Sequence, residues 1–321
     1  MKEVEKVVKV VKVIQSGRKF LVTSHENPDG DAIGSMLALG LGLESLGKEV
    51  TLYNKDGTPK NLSFLPGVER VSNSLNRNHR FDATFIVDCA SLERVGKDFK
   101  DFRGGGTQVL IDHHATNTPW TELFLIDPES PSTGALVYSL LEAIHVEITP
   151  EIATNIYTII MLDTGSFHYQ NSTPEAFRAA ARMVEMGANP WEVSQAFYEN
   201  ESPGRISLLG LVLPTLEVSE DGRIASVTVK KEMLSATGTS REDTEGFVNY
   251  PRSLSGVMVA VLFREEEEGW KVSLRSKDSV NVAEIAVRFG GGGHERAAGC
   301  TISGDLHQVK KRLYKAIGEF L

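Results

Sequence analysis

Apolar residues recur at helical and strand spacings along the first part of the chain. Valines and an isoleucine over 4–14 lie three or four positions apart, which predicts an amphipathic helix ending near Gly17. The short apolar run 20–22 predicts a buried strand. The Leu- and Ala-rich segment 32–46 predicts a helix, and the alternating segment 49–53 predicts a second strand. Together these segments predict a β-α-β unit.

The next part of the chain continues this alternation of strands and helices. Segments 83–87 and 108–111 are continuous apolar runs, as in parallel strands that are covered on both faces. Helices are predicted over 135–143, 152–162 and 176–186, and the last two follow a Thr-Pro-Glu start. We therefore expect a parallel, doubly wound α/β domain.

The C-terminal part has a different order of elements. Strands are predicted over 224–229, 257–263 and 271–275, and helices over 282–289 and 306–320. The acidic run 265–268 predicts a hairpin turn between two of these strands. Strands that follow one another predict a smaller α/β domain with a mixed or antiparallel sheet.

The length of 321 residues allows two separate hydrophobic cores. The sequence becomes polar after position 190 and is interrupted by Pro203 and Gly204, which predicts a linker. We expect a metal-binding domain over 1–189, a linker over 190–210 and a substrate-binding domain over 211–321.

Composition and charge limit the class of protein. The chain is 41% hydrophobic and 24% charged, and no apolar stretch has the ~18 residues of a membrane span. The charged N-terminus lacks a secretory signal, so we expect a cytoplasmic protein in which Cys89 and Cys300 stay reduced. The net charge of −9 argues against binding to long duplex nucleic acid, but it does not exclude short nucleotides.

Aspartates and histidines cluster where we expect strands to end. These residues are His25, Asp29, Asp31, Asp88, Asp112, His113, His114 and Asp163. Any single aspartate at such a position is commonly a helix cap or turn residue. Four such positions in one sheet favour a site for two divalent cations, which need carboxylate oxygens and imidazoles and a carboxylate that both share. Asp88 is the expected shared ligand, and the mixture of oxygen and imidazole ligands suits Mn²⁺.

These residues resemble the motifs of a known family. HENPDGDA at 25–32, Asp88, the triplet 112–114 and Asp163-Thr164-Gly165 resemble the four motifs of the DHH phosphoesterases. SLRSK at 273–277 and FGGGGHERAAG at 289–299 resemble the associated DHHA1 domain. The resemblance implies that His25, Asp29 and Asp88 bind one Mn²⁺, and that Asp31, Asp88, His113 and Asp163 bind the second. It also implies that His114 faces the phosphate and that Asp112 supports the two histidines.

The resemblance further implies that the second domain binds the nucleotide. The expected contacts are Gly291, Gly292, Gly293 and His294, because glycines expose backbone N–H groups to a phosphate. Arg275 and Ser276 at a strand end could clamp a terminal phosphate. Asn249 is a further candidate, with a turn residue as the alternative interpretation.

The expected function is hydrolysis of very short RNA and of 3′-phosphoadenosine 5′-phosphate (pAp) by water activated between two metal ions, with Asp88, Asp112 and His114 as catalytic residues. Mn²⁺ is the expected metal, with Mg²⁺ and Co²⁺ as alternatives. The resemblance also suggests a homodimer. Two other functions stay open: hydrolysis of cyclic di-AMP or its linear product pApA, and nucleotide binding without catalysis.

Overall fold

The computed structural model describes residues 3–114, 117–277 and 280–321. The chain forms two compact units, Met1–Asn200 and Glu201–Leu321. In these described ranges, no helix combines the length and the apolar character that crossing a bilayer requires.

Unit 1 is a parallel sheet with helices packed against it. Its strands are β1 (Lys19–Thr23), β2 (Glu49–Tyr53), β3 (Val71–Ser72), β4 (Ala83–Val87), β5 (Thr107–Asp112) and β6 (Leu123–Ile126). Its helices are α1 (Glu3–Ser16), α2 (Gly30–Ser45), α3 (Lys97–Lys100), α4 (Thr133–Ala143), α5 (Pro150–Asp163), α6 (Pro174–Glu185) and α7 (Pro190–Tyr198). The strand order is β3-β2-β1-β4-β5-β6, and all pairs are parallel. The predicted parallel, doubly wound fold is confirmed.

The continuous apolar runs of the central strands follow from burial on both faces. Phe20 and Val22 of β1 point into one core, which they share with helix α2. Leu21, between them, points into a second core on the opposite face. Because both faces are covered, β1 has no polar face and shows no alternation of apolar and polar residues.

The order of the strands determines where a ligand can bind. Strand β1 pairs with β2 on one side and with β4 on the other. From β1 the sheet is extended in one direction by β2 and β3 and in the opposite direction by β4, β5 and β6, so the strand order reverses between β1 and β4. Sheets of this kind bind ligands at the carboxyl ends of the strands beside such a reversal. The residues that follow β1, β4 and β5 therefore lie near one another.

Unit 2 contains a mixed sheet, as predicted. Its strands are β7 (Glu217–Val218), β8 (Ile224–Val229), β9 (Val259–Glu266), β10 (Gly269–Ser276), β11 (Gly292–His294) and β12 (Ala297–Ile302). Its helices are α8 (Pro203–Val212), α9 (Lys231–Thr237), α10 (Asn249–Ser253), α11 (Val282–Val287) and α12 (Leu306–Gly318). The order is β11-β12-β10-β9-β8-β7, and only β8 and β9 form a parallel pair among these strands. Glu267 and Glu268 of the acidic run form the β9–β10 hairpin turn, as expected, whereas Glu265 and Glu266 belong to strand β9.

The segment 190–210, where we expected a linker, is mostly helical. Pro190 and Pro203 occupy the first turns of α7 and α8, and the side chains of Asn189 and Ser202 cap these helices. Proline fits the first turn of a helix because its missing N–H has no partner to lose there. The prolines therefore begin helices in this segment, and the boundary between the two units falls between Asn200 and Glu201.

Candidate metal centre

Aspartate and histidine side chains meet at the carboxyl edge of the parallel sheet. Among the described residues, three groups have all their potential ligand atoms within 4.8 Å of one another. They are His25, Asp29 and Asp88; Asp31, His113 and Asp163; and Asp88, His113 and His114. The structure thus brings together the six residues predicted as metal ligands, and Asp88 belongs to two of the groups.

His25 follows β1 and has the hydrogen bonding of a metal ligand. Its Nδ1 lies 2.8 Å from the carbonyl oxygen of Glu26, so Nδ1 carries the donated proton. Its Nε2 lies 3.4 Å from Asp88 Oδ2 and 3.9 Å from Asp29 Oδ1. Histidine ligands commonly donate their other N–H to a carbonyl in this way. Asp29 also caps helix α2, because its Oδ1 accepts from the N–H of Ala32 at 3.1 Å.

Asp88 lies at the centre of the cluster in a strained backbone conformation. Its φ is 53°, in the left-handed region that non-glycine residues rarely adopt, at a cost of about 1–3 kcal/mol. Its N–H donates to the carbonyl oxygen of Ile111 at 2.9 Å. Its Oδ2 lies 3.4 Å from His25 Nε2, and its Oδ1 lies 3.3 Å from His114 Nδ1. The conformation thus directs one carboxylate toward two histidines.

The N-terminus of helix α4 holds Asp31. The backbone N–H groups of Thr133 and Gly134 donate to its two carboxylate oxygens at 2.7 and 3.0 Å, and Ser35 Oγ donates at 3.0 Å. Thr133 Oγ1 also lies within hydrogen-bond distance of Asp88 Oδ1, at 3.3 Å. A helix N-terminus favours a carboxylate because its N–H groups are unpaired and its dipole is positive there. The sequence analysis predicted a helix over 135–143 but missed this role of the two residues before it.

His113 resembles His25 in its hydrogen bonding. Its Nδ1 lies 3.2 Å from the carbonyl oxygen of Ser130, and its Nε2 lies 3.5 Å from Asp31 Oδ2 and 3.4 Å from Asp163 Oδ2. Each of the two histidines therefore uses Nδ1 for a backbone carbonyl and presents Nε2 to carboxylates.

Asp163 does not follow a strand, and our expectation of a strand end there was wrong. It is the last residue of helix α5, where the helix dipole disfavours a negative charge. Its Oδ2 is buried without a hydrogen-bond partner among the described residues. Asn171 Nδ2 donates to the carbonyl oxygens of Asp163 and Pro131, both at 3.1 Å, which anchors the end of the helix. Sequence analysis also missed Asn171.

His114, the third residue of the predicted triplet, differs from His25 and His113 in its hydrogen bonding. Asp112 is fully buried, and its Oδ1 lies 2.6 Å from His114 Nδ1. The same oxygen accepts from the backbone N–H groups of His113 and His114 at 2.8 and 3.2 Å. Asp112 therefore keeps a proton on Nδ1 of His114, which leaves Nε2 as the nitrogen that can interact with a ligand.

The charges in the cluster perturb one another strongly. Burial raises the pKa of Asp31, and the charge of Asp88 adds to this, giving a pKa of about 7. Burial and the charge of Asp31 raise the pKa of Asp163 well above its usual value. Burial lowers the pKa of His25, but the hydrogen bond and charge of Asp88 outweigh it and raise this pKa to about 9. Without cations, the cluster therefore retains protons at neutral pH.

These features are compatible with divalent metal ions. Burial and the charges of neighbouring carboxylates raise the pKa of Asp31 and of Asp163, and the positive charge of a cation would oppose both effects. The buried oxygen of Asp163 has no hydrogen-bond donor in the described part of the chain, and an ion would supply its missing partner. Carboxylate oxygens together with imidazole nitrogens are a ligand set for Mn²⁺, Zn²⁺ and related cations, so the ligands alone do not identify the metal.

The predicted substrate contacts all lie in unit 2. Arg275 and Ser276 end strand β10. Arg275 Nη1 donates to the carbonyl oxygen of Leu274 at 3.0 Å, whereas Ser276 is fully buried and its Oγ has no hydrogen-bond partner among the described residues. Asn249 is exposed and begins helix α10 rather than lying in a turn. The side chain of His294 lies outside the described part of the structure.

Gly291, Gly292 and Gly293 differ in whether the structure leaves room for a side chain. A Cβ atom at Gly291 would lie 2.1 Å from the carbonyl oxygen of Gly299. One at Gly293, where φ is 144°, would lie 2.5 Å from the carbonyl oxygen of Ala297. Gly292 is exposed, and a Cβ there meets nothing within 4 Å. Close approach of this segment to β12 therefore explains Gly291 and Gly293 but not Gly292.

Comparison with known proteins supports the assignment of both units. Residues 19–164 match the DHH family, N-terminal domain, and residues 224–321 match the DHHA1 domain. The chain is 35% identical to the bifunctional oligoribonuclease and PAP phosphatase NrnA of Thermus thermophilus, covering 98% of this chain and 93% of that protein. It is 29% identical to the protein of the same name from Bacillus subtilis, with 91% and 92% covered. A solved exopolyphosphatase-related protein from Bacteroides fragilis superimposes with a TM-score of 0.92 at 28% identity, covering 98% of this chain and 96% of the other.

Proposed function

Because this chain belongs to the DHH family and carries a DHHA1 domain, we propose that it is a phosphoesterase that hydrolyses short oligoribonucleotides and pAp with the help of two divalent cations. The observation that carries the proposal is the position of Asp88, whose carboxylate lies between two groups of potential ligands. The similarity to two proteins named oligoribonuclease and PAP phosphatase supports the choice of substrates.

We propose that one cation is held by His25, Asp29 and Asp88, and that the second is held by Asp31, His113 and Asp163 together with Asp88. Two cations held by these residues would lower the pKa of a water molecule and would offset the negative charge of the phosphoryl oxygens. Mn²⁺ is the proposed metal because the resemblance of the motifs to the family implies it, and the oxygen and imidazole ligands are compatible with it. The helix N-terminus at Thr133 keeps the carboxylate of Asp31 in place by hydrogen bonding to both of its oxygens.

His114 is proposed to contact the phosphate. Since Asp112 accepts the proton on Nδ1, Nε2 is the atom available to a phosphoryl or leaving-group oxygen. When protonated, Nε2 donates a hydrogen bond to developing negative charge, or passes its proton to the leaving oxygen. The charges of Asp112 and Asp88 favour the protonated imidazole and raise the pKa of His114, although burial opposes them.

Unit 2 is proposed to bind the nucleotide through Arg275, Ser276, Asn249 and the segment 291–294. The guanidinium of Arg275 has the fork geometry that matches a phosphate. Gly292 supports this role, because its missing side chain has no packing explanation within its own unit. A glycine with open space around it lets a ligand approach the backbone closely.

A parallel hydrolysis assay tests the proposal. Purified protein is freed of metal, reloaded with Mn²⁺, and given pAp, dinucleotide RNA, pApA and cyclic di-AMP. We expect turnover of pAp and dinucleotide RNA by the wild type and a loss of at least about 100-fold in Asp88→Ala, since even residues behind metal ligands commonly contribute 10–100-fold.

Three outcomes of this assay change the assignment. Absence of turnover of all four compounds contradicts the enzymatic proposal and favours a nucleotide-binding protein. Turnover that Asp88→Ala leaves unchanged contradicts the metal centre. A large preference in kcat/KM for cyclic di-AMP over pAp moves the assignment to a cyclic dinucleotide phosphodiesterase.

A further inference from the structure

We infer that Asn117 is a positioning residue, whose side-chain amide ties the chain after β4 to the chain after β5 and thereby fixes both Asp88 and His114. The inference rests on the proposed function only where it predicts an effect on catalysis. The connection itself is visible in three hydrogen bonds made by Asn117.

The three bonds reach both sides of the proposed active site. Asn117 Nδ2 donates to Asp112 Oδ2 and, at 3.2 Å, to the carbonyl oxygen of Cys89. The backbone N–H of Asn117 donates to the carbonyl oxygen of His114 at 3.0 Å. Cys89 directly follows Asp88 in the sequence. One asparagine thus connects the residue after Asp88, the carboxylate of Asp112 and the backbone of His114.

The chemistry of the partners fixes the orientation of the amide. A carbonyl oxygen and a carboxylate oxygen can only accept hydrogen bonds, so the NH₂ group must face both of them. Each of its two protons then has one acceptor. The other end of the amide, Oδ1, is buried without a hydrogen-bond partner among the described residues. The side chain therefore acts here as a double donor, which neither aspartate nor a smaller apolar residue can replace.

The first acceptor, Asp112, determines the orientation of His114. Asp112 Oδ1 is already surrounded by donors from His113 and His114, the shortest being His114 Nδ1 at 2.6 Å. Asn117 is the donor to the other oxygen, Oδ2. Because Asp112 is fully buried, water cannot readily replace that donor. Loss of the amide therefore lets the carboxylate rotate and releases the hydrogen bond that holds His114.

The second acceptor stabilises the strained conformation of Asp88. The peptide before Asp88 is fixed by its N–H, which donates to the carbonyl oxygen of Ile111 at 2.9 Å. On the other side of Asp88, Asn117 fixes the peptide between Cys89 and Ala90 through the carbonyl oxygen of Cys89. A left-handed φ of 53° at a non-glycine residue persists only where surrounding contacts enforce it. Asn117 supplies one of these contacts, although it is not itself one of the proposed metal ligands.

Asn117→Ala and the nearly isosteric Asn117→Asp test the inference, and Asn155→Ala serves as a matched control. Asn155 is buried, whereas Asn117 is half-buried, but the Nδ2 of Asn155 likewise donates to two acceptors, the carbonyl oxygens of Pro66 and Glu151 at 3.1 Å each, and its Oδ1 likewise lacks a partner among the described residues. It differs in that none of these contacts involves the proposed active site. Circular dichroism melting establishes that each variant is folded.

Two readouts are compared. Histidine-selective ¹⁵N NMR of the metal-free protein detects the Nδ1 proton of His114, assigned by its absence in His114→Gln. With Mn²⁺ and pAp, kcat and KM are measured separately. We expect both Asn117 variants to lose the protected Nδ1 signal and to lower kcat by roughly 10–100-fold with KM changed less than about threefold, as for other residues that orient a site. Asn155→Ala should lower only the melting temperature.

The NMR readout needs neither metal nor substrate, so it tests the inference even if the protein hydrolyses none of the compounds. An unchanged Nδ1 signal in folded Asn117 variants overturns the inference, as does a wild-type kcat. If Asn117→Ala does not fold, Asn117→Asp decides the matter. If neither folds, protection of the Asn117 NH₂ protons from exchange in the wild type is expected, and rapid exchange of these protons overturns the inference.

Discussion

Asp163 ends a helix and His113 follows a strand, yet Asp163 Oδ2 lies 3.4 Å from His113 Nε2. The two residues belong to different layers of unit 1, and only the packing of α5 beside the carboxyl edge of the sheet brings them together. A partly buried carboxylate at the negative end of a helix is unfavourable for stability. Its presence here is explained if it contributes to binding a cation.

Protons and metal ions should compete for this cluster. Burial raises the pKa of Asp31 to about 7, so folding favours its protonated form. The resulting stabilisation is complete below the ordinary carboxylate pKa and is lost as the pH rises through about 7. Burial lowers the pKa of His25 and of His113, but the charges around them outweigh it and raise each pKa to about 9. The stabilisation that comes from protonating these two histidines in the folded protein is therefore also lost as the pH rises toward about 9.

The melting temperature of the metal-free protein should therefore fall as the pH is raised from about 5 to about 9, and added Mn²⁺ should stabilise it more at the higher pH. Differential scanning calorimetry with and without Mn²⁺ measures both trends. The control is Asp31→Asn, which removes one titrating ligand and should flatten the dependence. A Mn²⁺ effect of equal size at every pH would argue against the cluster as the binding site.

His114→Gln should separate metal binding from catalysis. We expect kcat for pAp to fall by roughly 10²–10³-fold, since the variant loses a donor to developing negative charge, while KM and the number of bound ions change little. Stopped assays give kcat and KM, and elemental analysis gives the ions. A variant that loses its metal ions instead would identify His114 as a ligand, consistent with its position beside Asp88 and His113.

Gly292→Ala should weaken substrate binding without destabilising unit 2. A Cβ at this position meets no atom within 4 Å, so the melting temperature should be unchanged. Gly291→Ala is the matched comparison, because its Cβ clashes with the carbonyl oxygen of Gly299 at 2.1 Å and should destabilise the fold. We expect KM for pAp to rise about tenfold in Gly292→Ala. This is the size of effect expected when a ligand loses one hydrogen bond to a charged group. An unchanged KM would remove Gly292 from the proposed substrate contacts.

The sequence predicted the fold where spacing alone determines the element. The apolar runs of β1, β4 and β5 and the capped starts of α5 and α6 were correctly predicted because both signals are local. The helices α7 and α8 were missed because proline was interpreted as an interruption. The contact between Asp31 and the N-terminus of α4 was also missed, because it joins residues about 100 positions apart and no local pattern records that distance.

The potential metal ligands were recognisable because their chemistry is unusual at the ends of apolar segments. Their supporting residues were not. Asn117 and Asn171 are ordinary loop asparagines in the sequence, and their importance lies in which carbonyl or carboxylate oxygens they reach after folding. Asp163 was recognised by type but placed after a strand, although the helix predicted over 152–162 ends directly before it.

The most direct test of the account is the number of Mn²⁺ ions bound per chain, measured by equilibrium dialysis and elemental analysis on the wild type and on Asp163→Asn. Asp163 belongs to only one of the two proposed ligand sets, whereas Asp88 belongs to both. We expect two ions per wild-type chain and one per Asp163→Asn chain. One ion or none in the wild type, or two in Asp163→Asn, would contradict a two-cation centre shared through Asp88.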